Sequence, residues 1–260
     1  MMMDFVTTGD GCRIAYRFDG PAGAPVLLLS NSLGTAMDMW VPQMPFLTQH
    51  FRVLRYDSRG HGLSDAPNGA YSLDRLGRDV IELIDALSIP SIAFCGLSKG
   101  GMVGQWLGVR APERIQRLVL ANTSPYMGPP SGWDGRIAAV RKGGLAAIAD
   151  AVLERWFTSS FRATEAIAPA RAMLKTINPE GYVGCCAAIR DMDMRPLLGL
   201  IAIPALVIGG SEDTATPPDH TYTLVNGIAN AKCVMLTAAH LSNLEQPEAF
   251  ANALLDHLKS

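Results

Sequence analysis

The sequence of 260 residues has few cysteines, little net charge and no long apolar run. Its cysteines are odd in number and contain no C-x-x-C pair, which argues against both a disulfide framework and a zinc site; they are Cys12, Cys95, Cys185, Cys186 and Cys233. Residues 1–10 lack a basic segment followed by an apolar one, so no signal peptide is predicted. We therefore expect free thiols in a reducing compartment and a cytoplasmic protein.

The charge balance excludes further classes of protein. A formal net charge of −2 provides no basic footprint for nucleic acid. The longest apolar stretch, residues 197–210, contains Pro204 and is shorter than the roughly 20 residues of a membrane-spanning helix. Because the net charge gives no general attraction for anions, an anionic substrate would need a local cation. We predict a globular protein that binds neither nucleic acid nor membrane; the oligomeric state stays open.

Short apolar segments alternate with helical patterns along most of the chain. After a hairpin signal around Gly9–Gly11, six segments rich in Val, Ile and Leu are typical of strands buried on both faces of a parallel sheet; they lie near residues 25–29, 52–56, 91–95, 117–121, 205–208 and 233–236. Between them, apolar residues recur every three or four positions, as in residues 73–87 after the N-cap candidate Ser72. The alternation predicts an α/β fold with a mostly parallel central sheet.

The alternation stops between residues 125 and 195, where helical patterns follow one another without a convincing strand. We predict that residues 125–192 form a helical cap inserted into a core made of residues 1–124 and 193–260. The cap would cover the carboxyl edge of the sheet, which is where open α/β sheets bind ligands.

One motif indicates a reaction. Gly96-Leu97-Ser98-Lys99-Gly100 is G-x-S-x-G, and it stands between a predicted strand and a predicted helix. This is the context of a nucleophile elbow, in which the serine occupies a tight turn and the glycines leave room for it. Ser98 is therefore the candidate nucleophile.

A serine nucleophile needs a base and an acid, and in the chain order of such a fold the acid follows the serine and the histidine follows the acid. His240 comes directly after the last predicted strand, whereas His50 and His61 precede Ser98. His220 has no strand to position it, and His257 is expected on the surface of the terminal helix.

Asp213 follows the strand at 205–208 and is the preferred acid over its neighbours Glu212 and Asp219. The acid would orient the imidazole and stabilise its charged form.

An oxyanion hole completes the predicted site. The backbone N–H groups of Lys99 and Leu33 are the candidate oxyanion hole, because one follows the nucleophile and the other lies in the loop after the strand at 25–29.

The glycine-rich loop at residues 56–64 contains an Asp and a His, but no second cluster completes a metal site. We interpret this loop as structural, with Asp57 and Arg59 bonding its backbone.

These motifs resemble the α/β-hydrolase superfamily over the whole chain. Six finer segments resemble the 3-oxoadipate enol-lactonase family of the β-ketoadipate pathway; they are residues 29–35 (LSNSLGT), 55–64 (RYDSRGHGLS), 94–98 (FCGLS), 155–158 (RWFT), 186–193 (CAAIRDMD) and 239–243 (AHLSN). Lys99 departs from the pattern, since that family usually carries a smaller or apolar residue beside the nucleophile.

The resemblance implies an α/β-hydrolase fold and hydrolysis of an anionic enol-lactone through an acyl-enzyme, without a metal or another cofactor. The carboxylate of such a substrate requires a cation, for which Arg136 at the start of the cap is the candidate and Arg190 the rival. Trp133 is a candidate pocket wall. The competing hypotheses are a carboxylesterase or cofactor-free perhydrolase acting on neutral esters, and a non-catalytic binding protein on the same scaffold.

Overall fold

The computed structural model describes residues 3–260, within which eight strands form one sheet. The strands are β1 (Asp4–Thr7), β2 (Arg13–Asp19), β3 (Val26–Ser30), β4 (Arg52–Tyr56), β5 (Ile92–Leu97), β6 (Ile115–Ala121), β7 (Ala205–Gly210) and β8 (Lys232–Leu236). Their order across the sheet is β1-β2-β4-β3-β5-β6-β7-β8. β2 pairs antiparallel with β1 and β4, and the other neighbouring strands are parallel. The sheet is therefore mostly parallel, as predicted.

Within the same residues the α-helices are α1 (Met44–Leu47), α2 (Leu73–Ala86), α3 (Lys99–Arg110), α4 (Pro130–Gly143), α5 (Ala149–Trp156), α6 (Ser159–Arg162), α7 (Ala168–Thr176), α8 (Pro179–Asp191), α9 (Pro218–Gly227), α10 (Ser242–Glu245) and α11 (Pro247–Leu258). Short 3₁₀ helices occupy Met37–Gln43, Pro112–Arg114, Leu145–Ala147, Glu165–Ile167 and Arg195–Leu200. No helix among the described residues is long and apolar enough to cross a membrane.

The local patterns explain these elements. Every residue of β5 and β7 is buried, which accounts for their continuous apolar character. In α2 the residues at helical spacing are buried, and the Ser72 side chain accepts a hydrogen bond from Arg75 N–H at 3.1 Å, as an N-cap does. His257 is buried as well, contrary to the expected surface position, because it continues the buried face of α11 formed by Phe250 and Leu254.

The helices α4–α8 lie between β6 and β7, and residues 127–192 of the described chain contain no strand. The two ends of this segment meet, since Tyr126 pairs with Asp193 in an isolated bridge and Met194 N–H donates to Pro125 O at 2.8 Å. This arrangement supports the proposed division into a core and an inserted cap, whose boundaries stay a prediction.

Candidate active site

Ser98 occupies the sharp turn between β5 and α3. Its φ of 57° is a conformation that side-chain-bearing residues rarely adopt, and its N–H donates to Ala121 O at 2.9 Å while its carbonyl accepts from Thr123 Oγ1 at 2.7 Å. A Cβ on Gly96 would overlap the Gly100 carbonyl, and one on Gly100 would overlap the Ser30 carbonyl at the end of β3. The glycines of the motif therefore allow the turn to form and to pack against the neighbouring strand.

The predicted base is within hydrogen-bond distance of this serine, and the predicted acid is within hydrogen-bond distance of the base. His240 follows β8 and Asp213 follows β7, and parallel pairing places both loops on the edge of the sheet that holds Ser98. His240 Nε2 lies 2.9 Å from Ser98 Oγ, and His240 Nδ1 lies 2.8 Å from Asp213 Oδ2. All three side chains are buried. The arrangement can transfer a proton from the hydroxyl to the imidazole.

Asp213 is held by several donors besides the histidine. Its Oδ1 accepts from the N–H groups of Ala215 at 2.8 Å and Thr216 at 2.9 Å, and its Oδ2 accepts from Thr216 Oγ1 at 2.8 Å and Asn122 Nδ2 at 3.1 Å. Burial by itself would raise the pKa of Asp213, but the charge and hydrogen bond of His240, together with these donors, lower it below its usual value. The carboxylate is therefore ionised and fixed in orientation.

Asn122 and Thr216 were missed in the sequence analysis. Asn122 directly follows β6, so the parallel order of the strands was the available signal. Its side-chain NH₂ also donates to Ala239 O at 3.1 Å, which ties the acid to the residue before His240. Thr216 stands three positions after the acid and was not considered.

The two candidate oxyanion donors lie on either side of the serine turn. Lys99 N–H is at the first position of α3, where helical N–H groups have no partner within the helix. Within residues 3–260, neither it nor Leu33 N–H has a backbone acceptor. The Lys99 side chain is 1% exposed and is not among the residues that line the cavity over Ser98. The lysine at this position, which departs from the family pattern, therefore does not place its charge in the cavity.

A cavity of about 120 Å³ opens over Ser98 and His240, with Leu33 on its wall. Its cap side is formed by residues of α4, α5 and α8, among them Trp133, Arg136 and Arg155. None of the described residues that line it is Asp or Glu. The cavity therefore has a cationic wall without an acidic counterpart among these residues.

Arg136 and Arg155 are the two cations of this wall, and neither forms a salt bridge within residues 3–260. The Arg136 guanidinium stacks over the Trp133 ring at 4.7 Å from its centroid, and Trp133 Nε1 donates to Met127 O at 2.8 Å. Burial lowers the pKa of Arg155, and the charge of Arg136, which lines the same cavity, lowers it further. An arginine nevertheless stays charged.

The structure separates Arg190, the rival cation, from the cavity wall. Its guanidinium bonds Asp134 Oδ1 at 2.8 Å and Asp191 Oδ1 at 2.7 Å, so its charge is already compensated. Arg155 was not named as a candidate, although the segment 155–158 was among those that carried the resemblance. Only the packing of α5 against the cavity distinguishes Arg155 from the other arginines of the cap.

The loop at residues 56–64 is held by its own side chains. Asp57 accepts from Met37 N–H at 2.7 Å and Leu63 N–H at 2.9 Å, as expected. Arg59 differs from the expectation, because its guanidinium pairs with Asp79 at 2.6 Å and Asp10 at 2.9 Å instead of the loop backbone. No group of three or more His, Cys, Asp or Glu side chains in the described part of the chain is placed to hold a metal ion.

Comparison with known proteins gives the same fold. The family profile described as the alpha/beta hydrolase fold matches residues 25–247. A curated relative, 3-oxoadipate enol-lactonase 2 of Acinetobacter baylyi, is 41% identical over 95% of this chain and 93% of its own length.

Two solved structures superimpose closely on this chain. A hydrolase from Pseudomonas aeruginosa has a TM-score of 0.97 at 50% identity and covers 99% of this chain and 98% of its own. The enol-lactonase from Burkholderia xenovorans has a TM-score of 0.97 at 43% identity and covers 99% of this chain and 100% of its own.

Proposed function

Because the chain belongs to the α/β-hydrolase fold family, we propose that it is a serine hydrolase that opens 3-oxoadipate enol-lactone to 3-oxoadipate. The observation that carries the proposal is the hydrogen-bonded chain Ser98–His240–Asp213 at the base of a cavity with two arginines that form no salt bridge within residues 3–260. The names of the curated relative and of the Burkholderia structure support this choice of substrate.

The geometry is suited to acyl transfer. Ser98 Oγ attacks the lactone carbonyl carbon while His240 Nε2 takes up its proton, and Asp213 stabilises the resulting imidazolium. The N–H groups of Leu33 and Lys99 would hold the oxyanion, at about 3 kcal/mol for each donor. When the tetrahedral intermediate collapses, the ring C–O bond breaks and His240 protonates the departing enol oxygen.

The leaving group stays attached to the acyl chain and would re-close the ring as long as it is an enol. Conversion of the enol to the ketone removes this nucleophile. His240 then takes a proton from a water molecule, which attacks the acyl carbonyl and releases the second carboxylate of the product and free Ser98. Every proton in this sequence moves through His240 Nε2 or solvent.

The cationic wall supports the choice of an anionic substrate. The enol-lactone carries one free carboxylate, and the protein's net charge of −2 provides no general attraction for it. We assign this carboxylate to Arg136 and Arg155, with the Trp133 ring as the wall beside them. A hydrogen bond to a charged group is worth about 1.5–3 kcal/mol, so each arginine would change binding by roughly 10- to 100-fold.

The test is a substrate panel of the enol-lactone, muconolactone and simple aryl esters. We expect Arg136→Met and Arg155→Met each to lower kcat/KM for the enol-lactone by roughly 10- to 100-fold, mainly through KM. Their activity on a neutral aryl ester should change by less than about threefold, because that substrate carries no carboxylate.

Arg190→Met is the matched control and should behave like the wild type, since Arg190 is paired with two carboxylates outside the cavity. Ser98→Ala should be inactive on every substrate. An unchanged KM in Arg136→Met and Arg155→Met would reject the carboxylate site. Faster turnover of neutral esters than of the lactone would favour a carboxylesterase. Failure of a fluorophosphonate to label Ser98 would reject the proposal that the protein is a serine hydrolase.

A further inference from the structure

His61 is a fully buried residue that contacts the loop carrying Leu33. Gly34 N–H donates to His61 Nε2 at 3.0 Å, and His61 Nδ1 lies 3.3 Å from Arg59 O. A carbonyl oxygen only accepts, so the proton must be on Nδ1, while Nε2 must have a free lone pair to accept from Gly34. The two contacts therefore require one neutral tautomer of the imidazole.

We propose that His61 is a positioning residue that holds the 31–34 loop through Gly34 N–H and thereby orients the Leu33 N–H for the oxyanion. This inference rests on the proposed oxyanion hole. Gly34 is the residue next to Leu33, and its φ of 83° shows that the chain turns there. A donor must lie within a few tenths of an ångström of its position for the oxyanion, so a loop that shifts at Gly34 would lose the contribution of Leu33.

The imidazole is fixed from the cap side as well. Cys185 Sγ of α8 lies 3.9 Å from His61 Nδ1, and the Tyr182 ring lies 6.5 Å from the imidazole between centroids. A Cβ added to Gly34 would come within 3.3 Å of the cap side chains of Leu174, Trp156 and Tyr182. His61 thus connects the 31–34 loop, the 56–64 loop and the cap helix α8.

The surroundings of His61 favour its neutral form. Burial lowers its pKa well below the usual value, and the charge of Lys99 lowers it further. The Lys99 ammonium is buried without a hydrogen-bond partner in residues 3–260, and burial lowers its own pKa. Among the described residues, the titratable groups found near the imidazole are Lys99 of α3 and Cys185 and Tyr182 of α8, and none of them carries a negative charge at neutral pH. The lone pair on Nε2 therefore stays available to Gly34.

A matched pair of variants isolates this one hydrogen bond. The amide of His61→Gln reaches the position of Nε2 and can accept from Gly34, whereas His61→Asn reaches only the position of Nδ1. We expect His61→Asn to lower kcat by roughly 10- to 100-fold at unchanged KM, since a displaced oxyanion donor acts on the transition state. His61→Gln should stay within about fivefold of the wild type.

The rate at which a fluorophosphonate labels Ser98 makes this test independent of the substrate. The labelling rate should be lower in His61→Asn than in His61→Gln by a similar factor. If the wild type is labelled but does not hydrolyse the enol-lactone, the proposed substrate is wrong and the ratio of the two variants still tests His61. Equal labelling rates and equal kcat values in the two variants would overturn the role of His61.

The wild-type protein provides a measurement that needs no variant. ¹⁵N NMR of the His61 ring should show an unprotonated Nε2 at pH 7 and at pH 5.5, together with coupling to the Gly34 amide. A protonated Nε2 at pH 7 would overturn the proposal even if both variants failed to fold.

Discussion

At the scale of single residues, the acid of the candidate site depends on donors from three loops. Asn122 follows β6, Thr216 lies after β7, and His240 follows β8, and all three bond Asp213 Oδ2. The carboxylate therefore has its orientation before a substrate binds, and its pKa is lowered in spite of its burial. The imidazole in turn carries its proton on Nδ1, which leaves Nε2 free for Ser98.

Replacing the acid tests this assignment. Asp213→Asn keeps the shape of the side chain, but its NH₂ group can donate to His240 Nδ1 and so favour the wrong tautomer. We expect kcat on the enol-lactone to fall by about 10⁴-fold with a small change in KM. Steady-state kinetics at pH 7 measures both constants.

Glu212→Gln and Asp219→Asn are the controls, because the sequence alone left these two carboxylates as alternatives. Neither residue bonds His240, so both variants should keep the kcat of the wild type. A loss of several orders of magnitude in either of them, with Asp213→Asn active, would contradict the assignment.

At the scale of elements, the 56–64 loop and the cap helix α8 approach each other at two glycines. A Cβ on Gly60 would overlap the Gly181 backbone, and a Cβ on Gly181 would overlap the Gly60 backbone. Gly60 also has a φ of 77°, which disfavours any side chain there. This contact brings Cys185 and Tyr182 against His61, which accepts from Gly34 N–H, so the cap and the 31–34 loop are joined through His61.

Filling this contact should destabilise the protein. Gly181→Ala puts a methyl group against the backbone, and we expect a loss of about 1–3 kcal/mol in the free energy of unfolding, measured by urea denaturation. The matched control is Gly135→Ala in α4, where a Cβ would meet no atom within 4 Å. It should raise the free energy of unfolding by about 0.5–1 kcal/mol, because alanine is the better helix former. Equal changes in the free energy of unfolding in the two variants would show that α8 shifts at Gly181 to admit the methyl group without a loss of stability.

At the scale of the whole molecule, a net charge of −2 coexists with a cavity that holds two positive charges and, among the residues the structure describes, no Asp or Glu on its wall. The protein as a whole therefore does not steer an anion over long distances. Under the proposed function, attraction for the anionic substrate would come from the two guanidiniums of the cap, over a range limited by the Debye length of about 10 Å at 0.1 M salt.

The salt dependence of the proposed reaction should follow from the charges of Arg136 and Arg155 alone. We expect kcat/KM for the enol-lactone to fall by a few-fold between about 10 mM and 500 mM NaCl, as screening weakens the attraction. In the double variant Arg136→Met/Arg155→Met this dependence should disappear. An equal salt dependence in the double variant, measured on the same substrate, would locate the attraction elsewhere on the surface.

The succession of strands and helices along the chain could be predicted from the sequence, since buried parallel strands and amphipathic helices have different apolar spacings. The sequence also singled out Ser98, Asp213 and His240, because each of them directly follows a strand of the same parallel sheet. The tertiary structure was needed to find which cations line the cavity, that Asn122 joins the acid to the histidine loop, and that the Lys99 side chain is buried away from the cavity lining. These relations join residues far apart in the chain, and they depend on the packing of the cap helices against loops at the sheet edge, which local spacing does not encode.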